Sequence, residues 1–213
     1  MHKTRFFLMI GVMMISILSL QTLYAGSRSK IKPLPAPQRK GGLPLMEALD
    51  KRMSIRDYSD RQIPEQVLSN LLWAAWGYNR EDKKKRTAPS AMNKQEISVY
   101  LAKADGLYLY DAETHGLIKL SGDDIRKETG KQSFVNSAPL NLIFVADLKK
   151  QSKLTSIYAN AGFISQNVYL YCASEGLGGV VRGWFDEDEL HRAMKLGEDQ
   201  KAILCHTVGY PAK

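Results

Sequence analysis

One stretch governs what this chain can fold into. Residues 158–175 read as the strongest helix in the sequence, and Ala161, Phe163, Ile164, Val168, Leu170, Tyr171 and Cys172 make it apolar nearly all round. A helix of that kind has no broad side to offer to water, so its expected place is the middle of the fold. Gly176, Gly178 and Gly179 bring it to a stop.

Both helices and strands are expected around that axis. Leu45, Ala48 and Leu49 share one helical face that ends near Arg52. Pro64 suits the first turn of a second helix, which Val67, Leu68, Leu71, Leu72 and Ala75 carry to Gly77. A loop over 79–87 holds Lys83, Lys84, Lys85 and Arg86. Ile97, Val99 and Leu101 alternate as in a half-buried strand, and 106–111 with 116–120 flank a short polar turn as a hairpin. A short helix is expected over 123–129, a buried strand over 140–146 and a final strand over 201–209. Asp186 followed by Glu189 is a capping-box pattern opening a helix through Met194. Helices and strands do not alternate as in a doubly wound sheet, so the expected class is α+β. No internal repeat is visible.

The amino terminus reads differently. His2, Lys3 and Arg5 precede an apolar run over 6–20, and Leu23-Tyr24-Ala25 stands as a small-residue cleavage site. That run is shorter than the ~20 residues a membrane span needs. We therefore expect 1–25 to be a signal peptide, cleaved after Ala25, and the mature protein to be periplasmic or secreted. No stable membrane insertion is expected after cleavage. Residues 26–42 carry Arg28, Lys30, Lys32, Arg39 and Lys40 between Pro33, Pro35 and Pro37, a composition expected to form a solvated linker with almost nothing to bury. Residues 43–213 then form the compact domain.

The formal charge is +8, and loss of Lys3 and Arg5 leaves 28 basic against 22 acidic residues. That excess favours anionic ligands without specifying a fold; no nucleic-acid partner is expected. Cys172 and Cys205 lie in apolar patterns and read as small buried hydrophobes.

Common chemistries find no support. His2, His115, His191 and His206 are scattered, and none pairs with a cysteine or carboxylate at ligand spacing, so no metal site is expected. A G-x-S-x-G nucleophile elbow is absent. The run over 176–183 is Gly-rich, but Val181 stands where G-x-G-x-x-G needs its third glycine, and the run follows a helix instead of a strand.

Four segments, in order, carry a resemblance. Arg52-Met53-Ser54-Ile55-Arg56-Asp57-Tyr58 resembles the R-x-S-x-R-x-[FY] opening of the flavin-dependent nitroreductase family. Pro89-Ser90-Ala91-Met92-Asn93 with Gln95 is similar to its P-S-x-x-N-x-Q segment, Gly176-Leu177-Gly178 with Gly183-Trp184-Phe185-Asp186 to its G-L-G…G-[FW]-x-D segment, and Val208-Gly209-Tyr210-Pro211 to its terminal V-G-x-P. Within the family, the hairpin over 106–120 looks most like the branch of azoline (thiazole/oxazole) dehydrogenases.

The resemblance implies a nitroreductase-like fold, with a mostly antiparallel central sheet flanked by helices and a long apolar central helix. It also implies a homodimer with FMN at the interface, NAD(P)H as possible co-substrate, and a small-molecule substrate. Arg52, Met53 and Ser54 would meet the phosphate and ribityl oxygens, and Arg56 the N1/O2 edge of the ring. Ser90, Ala91 and Asn93 would lie beside the ring or ribityl chain. Main-chain groups of Val181, Arg182 and Gly183 would face flavin O4 and N5. Many members carry glutamate where this chain has Arg182, so only a backbone role transfers there. Lys213 is the one cation left after V-G-x-P for a phosphate contact. No catalytic side chain is implied, because the cofactor carries the chemistry. The alternatives are an FMN-dependent dehydrogenase acting on a heterocycle, or a non-catalytic flavin-binding protein. Taken by residue type alone, alternating Arg52, Ser54 and Arg56 would share one side of an extended segment, and arginine offers a donor fork matched to phosphate. By periodicity alone, Arg52 and Arg56 read more readily as surface salt-bridge partners on a helix end.

Overall fold

The computed structural model describes residues 31–212. The chain divides into two units, Met1–Lys32 and Pro33–Lys213. The leader and its cleavage site lie outside the described residues, as do most of the first unit and Lys213. Strand β1 (Ile31–Pro33) spans the boundary between the units.

In chain order the second unit contains α1 (Leu45–Lys51), α2 (Glu65–Trp76), β2 (Tyr78–Arg80), β3 (Lys85–Arg86), β4 (Ile97–Lys103), β5 (Gly106–Asp111), β6 (Gly116–Ser121), α3 (Phe134–Ser137), β7 (Leu140–Asp147), α4 (Leu154–Ser174), β8 (Gly178–Arg182), α5 (Glu187–Met194) and β9 (Gln200–Gly209). Its main sheet runs β6-β5-β4-β7-β9-β8, and each neighbouring pair is antiparallel. The class is α+β, as the order of elements predicts.

Strand β7 lies inside that sheet and is covered on both faces, which is why its sequence is apolar without alternation. Leu140, Leu142, Phe144 and Ala146 face one core cluster, shared with Leu71 and Leu72 of α2 and Ile157, Ala161, Ile164 and Val168 of α4. Ile143 and Val145 face the other, shared with Leu190 and Met194 of α5. Each large side chain buried this way contributes about 1.5–3 kcal/mol. Cys172 and Cys205 are both free and buried, one in each cluster. Trp76 is core, its indole N–H donating to Ile97 O at 2.8 Å.

Three findings depart from expectation. First, α4 is central yet not enclosed: Leu154 and Tyr158 in its first turns, and Phe163 on a different part of its surface, stand 43–47% exposed. Hydropathy records only that these residues are apolar, and among the described residues they stay uncovered. Second, the proline-rich segment is not a free tether from Pro33 onward. Leu34 is buried, the Leu34 N–H donates to His115 O, and Gln38 N–H donates to Asn70 Oδ1 at 2.8 Å. Ser69 Oγ donates to Pro35 O, and Gln66 Nε2 to Ala36 O at 2.9 Å. Polar side chains of α2 thus satisfy a backbone that cannot supply its own ladder, and compact structure begins ten residues before Leu43. Third, the glycine-rich run that stops α4 continues directly as a strand the periodicity does not mark, the edge strand β8.

Candidate functional site

The site starts where α1 stops. Arg52 leaves the helix with extended backbone (φ −60°, ψ 121°), and the chain then runs alongside β8. Ser54 forms a parallel bridge with Gly179, and Ile55 N–H donates to Gly179 O at 3.0 Å. Further on, Tyr58 bridges Pro211 and Ala212 N–H reaches Asp57 O at 3.1 Å. Glycine makes this approach possible: a Cβ at Gly178 would sit 2.6 Å from Ile55. The Arg52–Ser54–Arg56 strip is therefore extended, with Arg52 partly exposed and Ser54 and Arg56 open to solvent. Among the described residues no carboxylate pairs with Arg52 or Arg56. The salt-bridge alternative thus finds no partner among the described residues.

Val181 occupies the edge of β8 that faces the strip. Its N–H is not open to a ligand, since it donates to Tyr169 Oη at 3.0 Å; the expectation of a flavin-facing amide at this residue is corrected. The same Tyr169 hydroxyl lies 3.0 Å from Ser54 Oγ, and the Arg52 guanidinium sits 5.2 Å over the Tyr169 ring. Gly183 comes next along that edge. It is exposed, and a Cβ there would meet nothing nearer than Leu204 at 3.7 Å, so this backbone remains approachable.

Arg182 points the other way. Its side chain is buried, donating to Thr129 O at 2.6 Å, Asn141 Oδ1 at 3.0 Å and Thr207 Oγ1 at 2.8 Å. These partners are all neutral, and burial lowers the guanidinium pKa. The arginine that stands in place of glutamate is thus a brace between β8, β9 and the 3₁₀ turn Arg126–Thr129; its side chain takes no part in the exposed strip.

A second cluster forms at Ser90, Ala91 and Asn93. Met92, Asn93 and Gln95 all have positive φ (54°, 55° and 47°), a costly arrangement for residues with side chains. Cross-links hold it. Gln95 N–H donates to Ser90 Oγ at 3.0 Å, Gln95 Nε2 to Lys84 O at 2.8 Å, and Arg86 Nε to Gln95 Oε1 at 2.8 Å. Arg86 itself is clasped between the rings of Trp76 and Tyr78. Ala91 N–H donates to Asn160 Oδ1 at 3.2 Å, and Asn160 Nδ2 donates to the buried Glu96 at 2.7 Å. Pro89, Ser90 and Ala91 face Thr155, Ala159 and Phe163 of α4 across an open cleft of about 440 Å³.

One chain keeps the two clusters apart. Ala91 contacts α4 at Asn160 and the strip contacts it at Tyr169. Nine residues at 1.5 Å rise put those contacts about 13 Å apart along the helix. Met53, Met92 and Trp184 are exposed around these sites (61%, 88% and 66%).

Residues 49–210 match the Nitroreductase family. The chain belongs to the nitroreductase family. A crystal structure named as a nitroreductase from Ralstonia eutropha superposes with a TM-score of 0.82 at 44% identity, covering 86% of this chain and 90% of that one. A protein of Methanocaldococcus jannaschii that also bears the name nitroreductase is 29% identical over 170 residues, 72% of this chain and 85% of its own length. A Methanothermobacter thermautotrophicus protein named NADH dehydrogenase/NAD(P)H nitroreductase is 24% identical over 173 residues, 79% of this chain and 78% of its own.

As a nitroreductase-family fold, the molecule devotes motif residues to two different tasks. Arg52 and Arg56 present guanidinium donors without a carboxylate partner among the described residues, with Ser54 between them. Gln95 and Gly178, in contrast, shape backbone. Several residues that organise the site fall outside the motifs. Tyr169, His206, Ser165 and Asn160 sit in elements whose apolar periodicity marks them only as core. The one signal in the sequence is the presence of polar atoms on the buried side of an apolar helix.

Proposed function

We propose that this is an exported FMN-dependent oxidoreductase, working as a homodimer with flavin at the subunit seam and NAD(P)H as electron donor. One observation carries the reading: two arginines and a serine on one extended strip, without carboxylate partners, beside an approachable glycine backbone in a nitroreductase-family chain. The donor set suits the group. A phosphate dianion needs charged forks and hydroxyls, and an isoalloxazine edge needs open main-chain groups, which Gly183 supplies. When bound, FMN would provide hydride transfer through its N5.

The protein's own work is then positional and electrostatic. Arg52 and Ser54 hold the phosphate end. Arg56, unpaired and exposed, brings positive potential to the ring edge, where preorganised charge favours the reduced state. Ser90, Ala91 and Asn93 belong to a rigid loop that lines the other side. Because the two clusters lie far apart on one chain, a second copy laid across the open side of α4 is the arrangement that joins one chain's strip to its partner's loop. The same association would cover Leu154, Tyr158 and Phe163.

The test is direct. Purified protein should carry about one FMN per chain or take it up on reconstitution, elute as a dimer, and lose flavin absorbance when mixed anaerobically with NADH or NADPH. A colourless monomer that ignores added FMN overturns the proposal. A flavin-loaded dimer that no nicotinamide bleaches leaves the cofactor in place and reverses the direction of hydride flow.

A further inference from the structure

Tyr169 is the hinge between the strip and β8, and no motif includes it. The residue is 8% exposed, and its hydroxyl has one proton. Val181 N–H donates to the oxygen at 3.0 Å, so a lone pair is taken by a main-chain donor whose direction cannot reverse. The other partner is Ser54 Oγ at 3.0 Å. Were Ser54 the donor in that pair, the tyrosine proton would find no acceptor among the described residues, and a largely buried residue with an unmade hydrogen bond loses stability. The direction that gives both protons a partner has the phenol donate to Ser54. The serine, exposed to solvent, keeps its own proton for something outside, next to the Arg52 guanidinium stacked on the tyrosine ring.

The ring has little freedom to swing away. It meets His206 edge-on with centroids 4.6 Å apart, and His206 is itself pinned through Nδ1 to Ser165 Oγ at 2.8 Å. The result is a one-way chain of donors: main-chain amide, tyrosine, serine, ligand. Each link polarises the next.

We infer that Tyr169 is a positioning residue that commits the Ser54 hydroxyl to donate toward an oxyanion, and so sets the preference for a phosphorylated flavin over the bare riboflavin. This rests on the flavin reading above. The experiment measures affinities of flavin-free full-length protein for FMN and for riboflavin by fluorescence titration, in wild type, Tyr169→Phe, Ser54→Ala and the double variant. The expected result is a fall of about tenfold in the FMN-to-riboflavin affinity ratio for Tyr169→Phe. Riboflavin affinity itself should stay within about twofold, and the double variant should lose no more than Ser54→Ala alone. Equal weakening toward both flavins would make Tyr169 a plain packing residue and overturn the inference, as would additive losses in the double variant. If wild type binds neither flavin while remaining folded by circular dichroism, the flavin reading itself falls and takes this inference with it. If wild type binds FMN but Tyr169→Phe keeps the ratio, the inference alone falls.

Discussion

At the scale of single residues, what matters is which charges are free and which are spent. Arg52 is free. Replacing it with alanine should weaken FMN retention by about 1.5–3 kcal/mol, the value of a charge-assisted hydrogen bond, read as flavin lost on dialysis. Arg182 is spent on acceptors: Thr129 O, Asn141 Oδ1 and Thr207 Oγ1. Arg182→Glu would restore the residue many relatives carry, yet here it would turn a carboxylate toward Thr129 O and Asn141 Oδ1. We expect a loss of about 3–5 kcal/mol in urea unfolding, the scale of an uncompensated buried charge. His206 is fully buried, and desolvation, followed by the charge of Arg182, lowers its pKa to about 3. The unfolded chain takes up that proton near pH 6.5. Stability is therefore complete above about 6.5 and declines as the pH falls toward 3, by up to about 1.4 kcal/mol per pH unit. Urea midpoints compared between pH 7 and pH 5 should show this slope in wild type and a shallower one in His206→Gln. His115, whose pKa is also lowered, contributes equally to both proteins and cancels.

At the scale of elements, contact between the strip and β8 decides the site. Gly178 lies where any side chain would strike Ile55 at 2.6 Å. Gly178→Ala should cost about 1–3 kcal/mol by overpacking, visible in the thermal midpoint, and should loosen flavin binding because Ser54 and Arg52 move with Ile55. An unchanged midpoint and affinity would mean the strip is not held by that edge. The segment that follows β1 teaches a related lesson. Pro33, Pro35 and Pro37 forbid a regular ladder there, but the backbone carbonyls between them remain good acceptors. Ser69 and Gln66 of α2 use two of these, so a composition suited to a loose linker is instead docked.

At the scale of the whole molecule, α4 poses the question of association. Leu154, Tyr158 and Phe163 are exposed on it, and Phe163 also lines the cleft beside Ser90 and Ala91. Phe163→Glu should leave the fold intact, because that ring is already half-exposed in one chain. If the proposed seam lies there, it should shift the proposed dimer to monomer in sedimentation and reduce the proposed flavin content along with it. A dimer that survives the substitution would place the seam elsewhere.

Much of this was readable from residue order alone. The α+β class, the central helix and the buried β7 follow from periodicity and glycine placement, which are short-range properties of a chain. The Arg52–Ser54–Arg56 strip is marked by resemblance to a family motif, while periodicity alone points to a helix end. Tertiary structure was needed for what depends on partners distant in sequence. It turned the side chain of Arg182 into a brace, engaged the Val181 amide with Tyr169, made a glycine run into an edge strand, and docked the proline segment on α2. Hydrogen-bond donors and acceptors look the same in sequence whether they end up satisfied by the protein or left for a ligand. Only the positions of their neighbours in space decide between those two fates.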